Sequence, residues 1–135
     1  MSKLSMIAIV AGLAFSTVAM AQGMSKSEYK TSKDAISATY KADKKACGSL
    51  KGNAKDICIA EAKGKEKVAK AELEAKYKPS DKASYKVTVA KAEADYDVAK
   101  EKCDDQSGSA KRACRKDAKA ALTAAKNGAK AKPKA

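Results

Sequence analysis

The amino-acid sequence predicts an all-α protein: two repeated antiparallel helical hairpins, each closed by a disulfide, forming a four-helix bundle or an elongated rod. Alanine and lysine, both strong helix formers, dominate the chain, and proline occurs only at Pro79 and Pro133. The four cysteines recur in pairs at an offset of 56 residues. After residue 21 the chain has ten Leu, Ile and Val residues and no Phe or Trp, so we expect thin apolar stripes that need disulfide staples.

Residues 1–21 have the pattern of a cleavable signal peptide. Lys3 precedes an apolar stretch, and small residues precede the predicted cleavage point between Ala21 and Gln22. The apolar stretch is shorter than the ~20 residues needed to span a bilayer. We therefore expect a protein that is periplasmic or secreted and is not membrane-spanning after processing.

A duplication organises the rest of the chain. Each copy has the form Tyr-x10-Tyr-x6-Cys-x10-Cys. The equivalent positions are Tyr29 and Tyr85, Tyr40 and Tyr96, Cys47 and Cys103, Gly52 and Gly108, and Cys58 and Cys114. Because tyrosine and cysteine are rare in the chain, this coincidence indicates a true repeat. We predict a first hairpin repeat over 22–79, a second over 80–127 and a flexible basic tail over 128–135.

The first helix is predicted at about residues 26–51. Ser25 and Glu28 have the spacing of a capping box at its start. Gly52 suits the position directly after the end of a helix, because glycine tolerates positive φ. At 100° per residue, one stripe of the helix contains Tyr29, Ile36, Tyr40 and Cys47. We expect the tyrosines to pack between helices, the alternative being a ligand-stacking surface.

The second and third helices are predicted at about 53–78 and 81–107. Asn53 can cap the start of the second helix, and Pro79-Ser80-Asp81 ends it and starts the third. The third helix repeats the stripe with Tyr85, Ala92, Tyr96 and Cys103. Its inward face therefore matches that of the first helix.

The fourth helix is predicted at about 109–127. Gly108 followed by Ser109 repeats the glycine and the cap of the first turn. Leu122 is the one large aliphatic residue of this helix and stands among alanines. The fourth helix is therefore expected to depend strongly on its disulfide.

The four cysteines are predicted to form the bridges Cys47–Cys58 and Cys103–Cys114, out of three possible connectivities. Each pair is equidistant from its predicted bend, and such residues face each other in an antiparallel hairpin. An even number of cysteines in an exported chain favours disulfides over free thiols. Each bridge closes a loop of a dozen residues, for which the chain-entropy estimate gives about 3 kcal/mol.

No metal, cofactor or catalytic site is predicted. A structural zinc site uses close cysteine pairs, often with histidine, whereas ten residues separate these cysteines and the chain has no histidine. The C-x-x-C-H signature of covalent haem attachment is absent. Adjacent acids occur only at Asp104-Asp105, beside a predicted turn, where solvated charges are ordinary. We therefore expect that the protein is not an enzyme.

The charge distribution indicates the kind of partner. Residues 22–105 contain 19 Lys and Arg against 15 acids, whereas residues 106–135 contain nine against one. Such a basic end is attracted to anionic surfaces in a salt-dependent way, the alternative being that it only maintains solubility. A specific nucleic-acid partner is not expected, because the chain is exported and its aromatic residues are not interleaved with the basic segment.

The segment from Cys47 to Cys58 carries a resemblance to a known family. It reads C-x-x-L-x-G-N-A-K-x-x-C, with Leu50, Gly52 and Asn53 in the middle. The chain after residue 21 resembles an uncharacterised family of small exported proteobacterial proteins rich in Lys and Ala. The names of some members imply a TolA-like role in the cell envelope, and the likeness to TolA lies in the Lys- and Ala-rich composition. A more distant similarity is to PsiF-type repeats.

Two functions are the hypotheses that the sequence supports. The first is a non-enzymatic periplasmic protein of the cell envelope, structural or binding, that acts through a basic helical surface on anionic envelope components. The second is a stress-related, chaperone-like binding module for other exported proteins.

Overall fold

The computed structural model describes residues 23–131, which are helical apart from short connections. The helices are α1 (Lys26–Ala46), α2 (Gly52–Tyr77), α3 (Asp81–Cys103) and α4 (Gly108–Lys130), with a 3₁₀ turn at Cys47–Ser49 after the first. The predicted all-α class and the two disulfide-closed hairpins are confirmed. The predicted signal peptide, its cleavage between Ala21 and Gln22, and the end of the predicted tail from 132 onwards lie outside the described residues.

Two helix starts form as the sequence predicts. At α1, the Glu28 amide donates to Ser25 Oγ (3.1 Å) and the Ser25 amide donates to Glu28 Oε2 (2.8 Å), which completes the capping box. At α3, Ser80 Oγ accepts a hydrogen bond from the Ala83 amide (3.0 Å). These bonds satisfy backbone donors that have no partner within the helix.

The ends of α1 and α3 are earlier than predicted. α1 ends at Ala46 rather than near residue 51, and α3 ends at Cys103 rather than near residue 107. The chain turns at the bridged cysteine in both hairpins, because a longer helix would carry the following residues away from the partner helix. Gly52 and Gly108 have the expected positive φ, 58° in each, but each begins the next helix instead of following the previous one.

The prediction that Asn53 and Ser109 are caps is wrong. The N-cap positions are occupied by Lys51 and Ser107, which are extended, and neither side chain makes a capping hydrogen bond. Since the positive-φ glycine directly follows the cap, Asn53 and Ser109 lie inside the first helical turn, beyond the position from which a side chain caps. The predicted start of the tail at 128 is also too early, because α4 continues to Lys130.

The four helices pack side by side in sequence order rather than end to end. Among the described residues, α2 contacts α1 and α3, α3 contacts α2 and α4, and α1 and α4 do not meet. In α2, Gly64 faces α3, whereas Ala62, about 200° away on the wheel, lines the junction with α1. In α3, Ala94 faces α2 and Cys103, nine residues later and on the opposite side, is bridged to α4. The two hairpins therefore form an open bundle, a single layer of helices.

The interior of this layer is lined mainly by small residues. The buried hydrophobic residues are Cys47, Ala60, Ala62, Leu73, Ala83, Ala90, Ala94 and Cys103. Neither α1 nor α4 has a buried residue. The central helices approach so closely that a Cβ on Gly64 would lie 2.9 Å from Ala94 Cβ. This packing buries little aliphatic volume, so the two outer helices need other attachments.

Candidate functional site

The two disulfides attach the outer helices to the central pair. The predicted bridges Cys47–Cys58 and Cys103–Cys114 are confirmed, with Cα–Cα distances of 5.7 and 5.6 Å. The side chains of Cys47 and Cys103 are buried, at 1% and 0% exposure. All four cysteines of the chain are in these bridges, so none is a thiol available for catalysis or metal binding.

A hydrogen bond joins the two hairpins at the end of the molecule that carries both disulfides. Asn53 Nδ2, in the first turn of α2, donates to the backbone oxygen of Glu101 near the end of α3 (2.7 Å). That oxygen also accepts a hydrogen bond from the Asp104 amide at the end of α3 (3.0 Å), so the Asn53 side chain is a second donor to it. Asn53 therefore links the start of α2 to the end of α3 instead of capping its own helix.

Acidic side chains of the second hairpin pair with the cations on the inner flank of α4. Asp104 lies 3.2 Å from Lys111 Nζ and 2.5 Å from Arg115 Nη2. Glu93, on α3, accepts hydrogen bonds from Lys126 Nζ (2.8 Å) and from Lys67 Nζ on α2. Hydrogen bonding lowers the pKa of both carboxyls, mainly from Lys126 and then Lys67 at Glu93, and mainly from Lys111 at Asp104. Glu93 thereby ties three helices together.

The outer side of α4 carries cations that have no such partner. α4 contains seven Lys and Arg against one Asp. Four of the cations are exposed, make no ion pair among residues 23–131, and lie within about 40° of the side opposite Cys114. They are Arg112, Lys116, Lys119 and Lys130, named here the cationic edge. This edge is the strongest feature for recognition of another molecule.

The outer side of α1, at the other edge of the layer, is chemically different. Its residues opposite Cys47 are mostly small or of mixed charge: Ser27, Thr31, Asp34, Ala38, Ala42 and Lys45. The single layer therefore has one edge with a row of cations and one edge without.

A groove runs between α2 and α3 on one face of the layer. Its volume is about 890 Å³. Its apolar floor consists of Gly64, Val68, Ala69, Ala94, Val98 and Ala99. Its rim alternates in charge, with Glu61, Lys65, Glu72, Lys91, Asp95 and Lys102. The groove is open to solvent because α1 and α4 lie beside the central pair and do not cover it.

The tyrosines pack at helix junctions, as the sequence predicts. Tyr29 stacks on Tyr77 of α2 with ring centroids 4.4 Å apart. Tyr40, Tyr85 and Tyr96 are half-buried, on the sides of α1 and α3 that face their partner helices. The stacked ring of Tyr29 is therefore engaged within the protein.

Three residues that shape the site were missed by the sequence interpretation. Tyr77 falls outside the repeat pattern, and Glu93 is one acid among many on α3. Gly64 did carry a signal, because a glycine in the interior of a long helix is costly unless another backbone or side chain approaches closely.

Residues 23–131 contain no group of three or more His, Cys, Asp or Glu arranged to hold a metal ion. None of the helices α1 to α4 combines the length and the hydropathy of a membrane span. Comparisons with protein-family models, with curated proteins and with solved structures found no match for this chain.

Proposed function

We propose that the protein is a non-enzymatic, exported component of the cell envelope, structural or binding in role, that attaches to anionic envelope components through its basic helical surface. The observation that carries this proposal is the cationic edge. The acids of the second hairpin pair with the inner cations of α4, so the charges of Arg112, Lys116, Lys119 and Lys130 remain available to a partner.

A periplasmic location is part of the proposal. The pattern of residues 1–21 and the two disulfides support it, because disulfides persist in oxidising compartments and are rare in the cytosol. A binding role rather than catalysis is supported by the cysteines, which are all oxidised, and by the absence of histidine from the chain.

Co-sedimentation tests this function. The exported, oxidised protein should sediment with isolated envelope fractions and with vesicles or polymers that carry negative charge, at an ionic strength near 20 mM. Binding should fall steeply as salt is raised past about 0.15 M, where the Debye length is ~8 Å. Neutral phosphatidylcholine vesicles are the matched control. Failure to bind any anionic component at low salt would remove the proposal.

The α2–α3 groove favours a second candidate function, a chaperone-like module for other exported proteins. Its apolar floor between charged rims is suited to an exposed apolar segment of a client. Suppression of client aggregation that is lost when Val68 and Val98 are replaced by Ser would support this function. A protein that leaves aggregation unchanged at a stoichiometric excess would rule it out.

A further inference from the structure

We propose that the cationic edge binds a linear polyanion lying along α4, and not the plane of a lipid bilayer. The inference rests on the proposed function and specifies its partner class: a flexible polymer with an anionic group on each repeating unit.

The length of the edge suits an extended polymer. Arg112 and Lys119 are seven residues apart, and Arg112 and Lys130 are eighteen apart, which at 1.5 Å per residue gives about 10 and 27 Å. Thr123 and Asn127 occupy the same side of α4 between Lys119 and Lys130 and are exposed. The edge is therefore a row with three cations close together, two polar residues, and a fourth cation.

The two flanks of the row differ from the row itself, because the cations on one flank are paired with acids and the other flank carries no cation. Lys111, Arg115 and Lys126 flank the row on the side of the acids and are paired with Asp104 or Glu93. On the other flank stand Ala120, Ala124 and, farther from the row, the exposed acid Asp117. A bound polymer thus meets a row of unpaired cations at the rim of a layer one helix thick, with further cations, shared with acids, on one flank only.

A bilayer is the less suitable partner for this edge. Helices that bind in a membrane interface place Trp, Phe or Leu on the side that enters the lipid. The outward side of α4 presents cations, Thr123 and Asn127, whereas Leu122 is half-buried on the flank nearer α3. Only the Coulombic part of a membrane interaction is available, and a narrow row contacts a plane along a single line.

The test measures binding of fluorescently labelled long-chain inorganic polyphosphate to the oxidised protein. Alginate, a polyuronate, serves as a carboxylate counterpart, and orthophosphate and anionic vesicles are further probes. The variant Lys116→Glu/Lys119→Glu reverses two charges of the edge. The control Lys30→Glu/Lys41→Glu makes the same change in net charge at exposed lysines of α1 that have no ion pair among residues 23–131.

We expect polymer affinity to fall by roughly tenfold or more in the edge variant and by about threefold or less in the control. The slope of log affinity against log salt should be shallower by about 0.7 for each lost contact, as for other single-chain polyanions. Preference between polyphosphate and alginate tells whether phosphate or carboxylate is favoured. Circular dichroism checks folding, and Lys116→Gln/Lys119→Gln replaces the edge variant if charge reversal unfolds α4.

Three results would overturn the inference. Equal losses in the edge and control variants would mean that net charge alone attracts the polymer. Binding to anionic vesicles without binding to either polymer would make the partner a membrane and would leave the proposed function standing. Absence of binding to all anionic probes at low salt would remove the proposed function together with the inference.

Discussion

At the scale of single residues, Gly64 sets the distance between the two central helices. A methyl group at this position would lie 2.9 Å from Ala94 Cβ, closer than carbon atoms pack. We predict that Gly64→Ala lowers the free energy of unfolding by about 1–3 kcal/mol, because overpacking outweighs the gain in helix propensity.

Gly128 is the matched control for this substitution. It lies in α4 with nothing within 4 Å of the added Cβ. Gly128→Ala should therefore raise stability by up to about 1 kcal/mol. Urea denaturation of both variants measures the difference, and stabilisation by Gly64→Ala as well would show that α2 and α3 are not in close contact.

Glu93 makes part of the stability depend on pH. Its pKa is lowered in the folded protein by hydrogen bonds from Lys126 and then Lys67. The stabilisation is therefore complete above the ordinary carboxyl pKa of 4.5 and is lost as the pH falls through the lower folded value. Glu93→Gln should reduce the thermal midpoint at pH 7, and the difference from the natural chain should shrink below pH 4.5.

The control for Glu93 is Glu61→Gln, at an exposed acid that has no ion pair within the part of the chain that the structure describes. Its effect on the thermal midpoint should be small at every pH. A constant difference between Glu93→Gln and the natural chain from pH 7 to pH 3 would contradict the assigned role of Glu93.

Residue-level prediction succeeded where a local constraint decides the conformation. Positive φ at Gly52 and Gly108, and the capping box of Ser25 with Glu28, depend only on neighbouring residues. The role of Asn53 was missed because its acceptor, the Glu101 carbonyl, is 48 residues away. Cross-hairpin contacts of this kind have no counterpart in sequence spacing.

At the scale of secondary-structure elements, the outer helices α1 and α4 depend on their disulfides. Neither helix has a buried residue. The central helices α2 and α3 together contain eight buried residues, Gly64 among them. We predict that Cys103→Ala/Cys114→Ala costs about 3 kcal/mol and accelerates amide exchange in α4, with α2 and its contact with α3 retained.

Hydrogen exchange read by mass spectrometry locates this effect. The complementary variant Cys47→Ala/Cys58→Ala should move the faster exchange from α4 to α1. Uniform acceleration over all four helices in both variants would show instead that the bundle unfolds as one cooperative unit.

The helices were predictable from the repeat, but their ends were less so. The stripe and the equidistant cysteines predict the hairpins and the bridges Cys47–Cys58 and Cys103–Cys114, which the structure contains. The helix ends were set too late because Gly52 and Gly108 were interpreted as C-terminal signals, although each begins a helix. Between the cysteine and the glycine the two turns have no residue in common at equivalent positions, so that segment carries no shared signal for the end of the helix.

At the scale of the whole molecule, the single layer is what exposes one helix side to a partner. Had α4 packed against α1, part of the outer surface of α4 would be covered. The sequence is compatible with both a bundle and a rod, because its alanine stripes are narrow. In α2 such stripes occur on two sides, with Ala62 toward α1 and Ala60 on the side of Gly64. A helix with apolar stripes on two opposite sides packs between two neighbouring helices, which is the arrangement of a single layer.

The distance between the outer helices tests the single layer most directly. Spin labels attached through ketone side chains at Ala38 and Thr123, both exposed near the middle of α1 and α4, leave the disulfides intact. Three interaxial steps of 8–10 Å, with labels directed outward, predict a separation of about 35 Å or more by pulsed electron paramagnetic resonance. A distance near 25 Å or below would mean that α1 and α4 meet in a closed bundle, and would contradict the open layer.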